Sequence, residues 1–307
     1  MRPEEIGLRP VICIAGPTAS GKSGLAVELA EAVDGEVVNA DALQVYGDIA
    51  VLSARPDTHD MQSVPHHLFG HVDGRTPYSV GDWLREAVPV TLDILARHRV
   101  PIVVGGTGLY FKALLQGLAD IPPVPDALEA ELNAMSVNDL RAEADVRDPQ
   151  AASRVLGADP QRLARIVGVA RATGRTLTDW RADTRPVIPA RYVRRVVLLP
   201  DRAGLYARID SRFDAMMQSG ALEEAKAVNA RDYPDRASLP KAIGLSHLLS
   251  HLRGQCDLAK AVDLAKRDSR RLAKRQSTWF RNQCADWPVV QTPQERAEWL
   301  SATTGRL

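Results

Sequence analysis

Short apolar runs alternate with longer segments of helical spacing in the first 120 residues of this 307-residue chain. The short runs lie at residues 11–15 and 101–104 and at Val37 and Val38 within 36–39, and each of these three segments is predicted as a strand. Residues 25–31 and 109–118 carry apolar side chains at helical spacing. This alternation predicts an α/β fold with a parallel sheet flanked by helices and with ligand loops at the carboxyl ends of the strands.

The pattern changes at residues 121–125, Ile-Pro-Pro-Val-Pro. From there to the proline-bracketed residues 185–189, the spacing is helical and contains no convincing strand. Further strands are predicted at 192–199 and 287–290, a helix from Pro200 and Asp201 onward, and a long basic helix at 262–283. We therefore expect a core domain formed by residues 1–120 and 190–307, and an inserted all-helical domain formed by residues 121–189.

A glycine-rich segment joins the first predicted strand to the first helix. It matches the phosphate-loop pattern G-x-x-x-x-G-K-[ST] at every fixed position and consists of Gly16, Pro17, Thr18, Ala19, Ser20, Gly21, Lys22 and Ser23. Successive N–H groups of such a loop and the following helix N-terminus point at an anion. Lys22 adds a positive charge, and the Ser23 hydroxyl can hold Mg²⁺. The segment predicts a di- or triphosphate site in a core of the phosphate-loop NTPase type.

A phosphate loop does not identify a reaction, because kinases, motor ATPases and group transferases all contain one. Asp41 follows the second predicted strand and can act as a Mg²⁺ ligand, as a general base, or as the cap of a helix over residues 42–46. The third strand ends in Gly-Gly-Thr-Gly at 105–108, without the acidic residue that binds Mg²⁺ in many ATPases, which argues against a motor ATPase. In a parallel sheet, Asp41, Thr107 and the phosphate loop should meet at one edge.

Cysteine usage and hydropathy indicate the setting in which the protein works. Cys13, Cys256 and Cys284 are odd in number and far apart, so they predict neither a disulfide framework nor a zinc site and favour a reducing cytoplasm. No apolar run approaches the roughly 18 residues of a membrane span. We expect a soluble cytoplasmic protein without a membrane partner.

Charge is distributed unevenly although the net charge is only +1. Residues 1–159 contain 12 basic and 23 acidic side chains, whereas residues 160–307 contain 27 basic and 15 acidic ones. The excess is concentrated at 160–212, with 12 arginines and 4 acidic residues, and at 260–281, with 8 basic and 2 acidic residues. Such asymmetry fits a face that binds a polyanion, and it fits equally well a pair of solvated helix faces balanced by the acidic half.

Nine short motifs occur in order between residues 11 and 287. They are the phosphate loop at 16–23, DALQVY at 41–46, SARP at 53–56, PHHL at 65–68, GGTGLY at 105–110, PQRLAR at 160–165, LYARIDSRFD at 205–214, AIG at 242–244 and RQSTWFR at 275–281. In this order they resemble the motifs of the tRNA dimethylallyltransferases, the family that isopentenylates an adenosine of the anticodon loop. Ala42 departs from the family pattern, in which serine is common at this position.

The resemblance implies transfer of a dimethylallyl group from dimethylallyl diphosphate to N6 of adenosine 37 in tRNAs that read codons beginning with U. It implies that Lys22 and Mg²⁺ on Ser23 hold the diphosphate without consumption of ATP. It assigns the general base to Asp41, a contact with the target nucleotide or the transferring group to Thr107 and Gln44, and a diphosphate contact to Arg208.

The tRNA contacts implied by the resemblance lie in two segments. They are Asp41, Ala42, Leu43, Gln44 and Thr107 near the target base, and Gln161, Arg162, Leu163, Ala164 and Arg165 in the helical insertion, which would contact the anticodon stem. The basic helix with Arg270, Arg271, Lys274 and Arg275 is a further candidate. The expected partners are tRNA and dimethylallyl diphosphate, with Mg²⁺ as cofactor, no obligatory protein partner and a monomeric state.

Two other functions remain open at this point. A small-molecule or nucleotide kinase would use the phosphate loop for ATP and Asp41 as a base, but it leaves the basic second half unexplained. A noncatalytic RNA-binding protein would retain tRNA affinity without turnover.

Overall fold

The computed structural model describes residues 9–61 and 64–305. Within this part of the chain, six strands form one parallel sheet in the order β3-β2-β4-β1-β5-β6. The strands are β1 (Val11–Ala15), β2 (Gly35–Asn39), β3 (His66–His67), β4 (Val100–Gly105), β5 (Val193–Leu198) and β6 (Val289–Val290). The predicted parallel sheet is confirmed. The sequence pattern misses only β3 among these strands, because two residues are too few for a periodic signal.

α-Helices make up most of the remaining regular structure of the described residues. In chain order they are α1 (Lys22–Val33), α2 (Thr58–Met61), α3 (Val80–Ala96), α4 (Gly108–Gln116), α5 (Asp126–Ala134), α6 (Val137–Arg147), α7 (Pro149–Ala152), α8 (Pro160–Thr173), α9 (Leu177–Ala182), α10 (Arg202–Gln218), α11 (Ala221–Asn229), α12 (Leu245–Leu252), α13 (Leu258–Gln283) and α14 (Pro293–Thr304). The long basic helix α13 begins four residues before its predicted start, because the Asp257 side chain accepts a hydrogen bond from the Lys260 backbone N–H at 2.7 Å. Among the described helices, none is both long and apolar enough to cross a membrane.

The strand register brings three loops to one edge of the sheet. β1 lies between β4 and β5, and its last residue, Ala15, is paired with Gly105 and Val197. Asn39 at the end of β2 is paired with Val104 of β4. The segments that follow β1, β2 and β4 therefore leave the sheet side by side, and they contain the phosphate loop, Asp41 and Thr107.

Two groups of buried apolar side chains hold this framework in place. The strands and α1 contribute Ile12, Leu25, Ile102 and Val196 to the first, which also contacts Trp299 and Leu300 of α14. The second joins residues 45–52 to α10–α13. Their burial removes apolar surface from water and fixes the sheet and its surrounding helices as one framework.

The chain divides into two compact units. The first comprises the chain up to Leu115 and from Ile188 onward, and the second comprises Gln116–Val187. The second unit contains α5–α9 around its own apolar core and no strand among its residues, all of which are described. Residues 1–8, 62–63 and 306–307, which the predicted core domain includes, lie outside the described residues.

Candidate active site

The phosphate loop turns tightly between β1 and α1. Ala19 and Gly21 have left-handed backbone conformations, with φ of 62° and 87°. No side chain caps the N-terminus of α1 at Gly21. A Cβ atom at Gly16 would lie 2.8 Å from the carbonyl oxygen of Leu198, so the loop can pass β5 only because this residue is glycine. The result is a helix N-terminus with N–H groups available to an anion.

A cavity of ≈ 1180 Å³ opens beside this loop. Residues 19–24 form one wall, and residues 198–215 and 290–296 contribute the others. Lys22, Ser23 and Ser20 line it, together with Arg208 and Arg212 of α10. Four cationic or hydroxyl side chains of the predicted diphosphate site thus share one cavity: Ser20, Lys22, Ser23 and Arg208.

Lys22 is held inside the loop, where its ammonium group lies 3.3 Å from the carbonyl oxygen of Pro17. Burial lowers the pKa of Lys22 from 10.5 to about 8, and the nearby Asp41 carboxylate opposes this change. Arg212 lowers the same pKa by charge repulsion. An anion bound among these groups would relieve that repulsion.

Arg212 is a candidate functional residue that the sequence analysis did not select. It lines the cavity, and burial lowers its pKa while Asp41 again has the opposite effect. No carboxylate of the described residues forms a salt bridge with Arg212. Arg208, one helical turn earlier, donates from Nε to the carbonyl oxygen of Ala19 at 3.0 Å and so contacts the loop itself. Both arginines belong to the motif at 205–214, and their spacing of four places them on one face of α10.

Asp41 is held in a turn formed by its neighbours. Its backbone N–H donates to Asn39 Oδ1 at 2.9 Å, and Asn39 Nδ2 donates to the Asp41 carbonyl oxygen at 3.1 Å. Asp41 Oδ1 accepts from the Leu43 backbone N–H at 3.0 Å. The alternative in which Asp41 caps a helix over 42–46 is wrong, because residues 42–45 form turns and Tyr46 forms an isolated bridge with Val72. The structure leaves Oδ2 for other interactions.

Thr107 connects the Asp41 segment to the end of β4. Its hydroxyl accepts a hydrogen bond from the Ala42 backbone N–H at 2.9 Å, and its own N–H donates to the Ala40 carbonyl oxygen at 3.2 Å. A Cβ atom at Gly105 would lie 2.0 Å from that same Ala40 oxygen. The glycine turn is therefore required for the close approach of the two loops, and Thr107 fixes their relative position.

Gln276 of α13 is a second residue that sequence analysis missed as a site residue. Its Oε1 accepts from the Thr18 backbone N–H at 2.9 Å, and its Nε2 donates to the Gly106 carbonyl oxygen at 3.0 Å. A Cβ atom at Gly106 would be 2.5 Å from Gln276 Nε2 and 3.4 Å from Asp41 Oδ2. The phosphate loop, the glycine turn, Asp41 and Gln276 thus meet at one place. The motif at 275–281 was the only signal for this contact.

Side chains of α13 line a groove of ≈ 500 Å³. Its lining consists of Arg271, Lys274, Arg275, Thr278, Trp279, Asn282 and Gln283. Trp279 lies over Gly108, where a Cβ atom would come within 2.3 Å of its ring. A basic groove with an aromatic ring, next to the glycine turn, has the composition of a surface for unpaired nucleotides.

In the helical unit, the predicted contact residues lie at the start of α8. Gln161, Arg162 and Arg165 are exposed, and Arg162 pairs with Asp159 at 3.2 Å. Leu163 is fully buried in the core of the unit, so its side chain is not available to an external ligand. Ala164 is partly buried against the same core.

Arg165 is affected by charged groups of its own unit. Desolvation lowers its pKa, Glu129 opposes this change and Arg181 reinforces it. The outward-facing side chains of this segment are therefore Gln161, Arg162 and Arg165, on a surface that contains further arginines.

The residues around the phosphate loop suit Mg²⁺ only in combination with phosphate. No group of three or more His, Cys, Asp or Glu residues able to hold a metal occurs in the part of the chain that the structure describes. Ser23 offers one hydroxyl oxygen at the mouth of the cavity, and Ser20 Oγ is buried without a hydrogen-bond partner. Mg²⁺ commonly takes few protein oxygens and completes its coordination with phosphate and water, so this donor set fits.

Family models match most of the chain. The model described as IPP transferase matches residues 44–283, and the model described as isopentenyl transferase matches residues 9–69. Two curated relatives are named tRNA dimethylallyltransferase. The one from Maricaulis maris is 48% identical over 93% of this chain and 94% of its own length, and the one from a Caulobacter species is 47% identical over 92% and 93%.

Two crystal structures are similar along nearly the whole chain. A tRNA isopentenylpyrophosphate transferase from Bacillus halodurans matches with a TM-score of 0.70 and 32% identity, over 97% of this chain and 96% of that one. A eukaryotic dimethylallyltransferase, described as acting on tRNA, matches with a TM-score of 0.81 and 26% identity, over 92% of this chain and 74% of that one.

Proposed function

The chain belongs to the IPP transferase family, and we propose that it transfers a dimethylallyl group from dimethylallyl diphosphate to N6 of adenosine 37 in tRNAs that read codons beginning with U. The products are N6-isopentenyladenosine and diphosphate. The observation that supports this proposal most strongly is that a diphosphate-binding site and a proton acceptor for an amine lie next to each other. Gln276 joins the phosphate loop, which suits a diphosphate, to the glycine turn at Gly106, and that turn lies against Asp41 Oδ2, which suits an amine. A kinase is not favoured, because the matched family models and the relatives described above are prenyltransferases.

On the donor side, we assign diphosphate binding to the phosphate loop together with Lys22, Arg208 and Arg212. As the allylic C–O bond breaks, its electron pair leaves with the diphosphate, and negative charge increases at these cations. Mg²⁺ bound to Ser23 would neutralise part of the same charge. The Thr18 N–H already donates to Gln276, so the N–H groups available for the anion are those nearer to α1.

On the acceptor side, we assign the general base to Asp41. The lone pair of an exocyclic adenine amine is delocalised into the ring, so the amine needs to lose a proton as the new C–N bond forms. Asp41 Oδ1 is engaged by the Leu43 N–H, and Oδ2 faces the glycine turn, which makes Oδ2 the acceptor of that proton. Thr107 has a hydroxyl proton that it can donate, since its oxygen accepts from Ala42.

The RNA side needs cations outside the reaction site. A base that is stacked in the anticodon loop must be extracted, which costs a few kcal/mol that other contacts have to offset. We propose that Gln161, Arg162 and Arg165 contact the phosphates of the anticodon stem. The groove of α13, with Lys274, Arg275 and Trp279, is suited to unpaired nucleotides beside the target base. We further propose that the protein acts in the cytoplasm as a monomer without an obligatory protein partner.

The proposal can be tested with purified protein, Mg²⁺ and labelled dimethylallyl diphosphate. The acceptor is an unmodified tRNA that reads a codon beginning with U, and the matched control is the same tRNA with guanosine at position 37. We expect label only in the tRNA with adenosine 37. Phosphoryl transfer from ATP to a metabolite, without label in the tRNA, would support a kinase instead.

A third outcome would identify a noncatalytic RNA-binding protein. In that case, tRNA would bind without incorporation of label, and Asp41→Ala would leave that binding unchanged. Transfer by the wild-type protein excludes this function directly.

A further inference from the structure

Glu224 of α11 binds a turn that lies between Asp41 and β3 in the sequence. Its Oε1 accepts from the backbone N–H groups of Ala50 and Val51, both at 2.7 Å, and its Oε2 accepts from that of Leu52 at 2.9 Å. A carboxylate only accepts hydrogen bonds, so three consecutive N–H groups match it well. Neither the motifs nor the proposed reaction gives this residue a role.

The turn that Glu224 binds is constrained at its other end too. Ala54 has a left-handed backbone with φ of 49°, which alanine rarely adopts without support from its surroundings. The Ser53 hydroxyl donates to the Ile49 carbonyl oxygen at 2.6 Å, and the Arg55 N–H donates to the Ala50 carbonyl oxygen at 3.0 Å. The directions of the Ser53 and Ala54 carbonyl groups therefore depend on the whole turn.

Those two carbonyl groups hold the side chain of Gln44. Gln44 Nε2 donates to the carbonyl oxygen of Ser53 at 3.1 Å and to that of Ala54 at 2.9 Å. Both amide protons are thereby used, and the assignment of nitrogen and oxygen in the carboxamide is determined by the two acceptors. Gln44 Oε1 is left as a hydrogen-bond acceptor, three residues after Asp41 in the same turn segment.

We infer that Glu224 is a positioning residue for the prenyl transfer, because it holds the turn at 50–54 and thereby orients the Gln44 carboxamide with its oxygen toward a donor group of the target nucleotide. An acceptor at this position suits the exocyclic amine of adenine, whereas guanine presents an acceptor, O6, at the corresponding atom. The inference rests on the proposed function and adds a residue that touches neither substrate.

The test is a double-mutant cycle of kcat/KM for tRNA with Glu224→Gln and Gln44→Leu. Glutamine at 224 keeps the size of the side chain but presents an NH₂ group to backbone N–H donors. We expect Glu224→Gln alone to lower kcat/KM for tRNA by about tenfold, with the KM for dimethylallyl diphosphate unchanged. In the Gln44→Leu background, the same change should cost less than about twofold, because the group that it orients is absent.

Controls separate positioning from a general loss of structure. Glu223→Gln removes the neighbouring carboxylate, which is exposed and lies 3.7 Å from Lys226, and should leave kcat/KM unchanged. Glu224→Asp keeps the carboxylate and should restore part of the activity. If Glu224→Gln does not fold, Ser53→Ala replaces it in the cycle, since it removes the hydroxyl that donates within the same turn to the carbonyl oxygens of Ile49 and Ala50.

Equal losses in both Gln44 backgrounds would overturn the inference and leave the proposed function intact. A change in the KM for the diphosphate alone would overturn it as well. Absence of prenyl transfer by the wild-type protein would overturn both the proposed function and this inference.

Discussion

The edge of the sheet and the arginine-bearing surface of the helical unit are built in different ways. At the sheet edge, functional groups are held by contacts between distant parts of the chain, such as the Thr18–Gln276 hydrogen bond, which joins residues 258 apart in sequence. On α8, Arg162 and Arg165 project from a single helix, and the capping hydrogen bond at its start is local, since the Arg162 N–H donates to the side chain of Asp159, three residues earlier. Substitutions at the sheet edge should therefore affect turnover, and those on α8 should affect RNA binding.

The largest effect is expected at Asp41. Asp41→Asn keeps an oxygen for the Leu43 N–H but removes the proton acceptor, so turnover should fall by about 10²–10⁴ while tRNA affinity stays nearly the same. Single-turnover prenylation and filter binding measure the two quantities. Asp57→Asn is the matched control at an exposed loop position. Unchanged turnover in Asp41→Asn would remove this residue as the base.

The next effect is expected at Arg212. Arg212→Gln removes an unpaired cation from the cavity wall, and the KM for dimethylallyl diphosphate should rise by about 10–10², the value of a charge-assisted hydrogen bond. Arg202→Gln on the same helix serves as control, because Arg202 stacks on Tyr206 and does not line the cavity. Equal effects of both substitutions would mean that only the overall charge of α10 matters.

Gln276→Leu should lower activity by less than Arg212→Gln does. This change leaves the Thr18 N–H and the Gly106 carbonyl oxygen without their partner, and kcat/KM for both substrates should fall by about tenfold. The free energy of unfolding should fall by about 1–3 kcal/mol, as measured in urea. Gln294→Leu on α14 is the exposed control. Loss of stability without loss of activity would show that Gln276 only joins the two loops.

Donor binding should also depend on pH through Lys22. Its pKa in the folded protein, about 8, lies below the usual 10.5, so Lys22 is charged below pH 8 and loses its charge as the pH rises through that value. Affinity for the diphosphate, measured by calorimetry between pH 7 and 9.5, should therefore decrease above pH 8, by up to about tenfold per pH unit. In Lys22→Arg the step should vanish, because a guanidinium stays protonated. A step at the same pH in that variant would identify another titrating group.

The smallest effect on turnover is expected on the helical unit. Replacing both Arg162 and Arg165 by Gln should weaken tRNA binding. A plot of the logarithm of the association constant against the logarithm of the salt concentration should become less steep by about 1 for each phosphate that the variant no longer neutralises. Diphosphate binding and turnover at saturating tRNA should stay the same. Arg175→Gln in the same unit is the control, since Arg175 lies beyond the end of α8 and outside the motif at 160–165. An unchanged salt slope would show that this surface does not contact RNA phosphates.

Local patterns predicted much of the fold. Short-range signals predict the five strands and the phosphate loop. The strands follow from short apolar runs, and the loop follows from the spacing of its glycines and lysine. The pattern could not identify β3, and it left open a helix capped by Asp41 over residues 42–46, where Asn39 and Thr107 instead stabilise turns. An aspartate side chain accepts from a nearby N–H in either structure, so sequence alone could not distinguish them.

The roles predicted for individual site residues stay predictions, yet the structure changes how some of them can act. The resemblance implies that Leu163 contacts RNA because it lies inside a contiguous motif, but its side chain is buried in the core of the helical unit. Conversely, Gln276, Arg212 and Glu224 carry no chemical signature of their own. Gln276 lies on a basic helix, Arg212 is one of twelve arginines in residues 160–212, and Glu224 lies on a short helix. In the sequence, each of them is indistinguishable from an ordinary surface residue.

The sequence by itself determined that this chain contains a parallel α/β core with a phosphate loop and a separate helical segment, because apolar periodicity and loop spacing are properties of neighbouring residues. Only the tertiary structure decided which side chains surround the Asp41 carboxylate and which carboxylate holds the turn beside Gln44. These contacts join α10, α11 and α13 to loops more than 150 residues earlier. Hydrogen bonds and burial at such separations depend on how the helices pack on the sheet, and that packing has no counterpart in any local pattern.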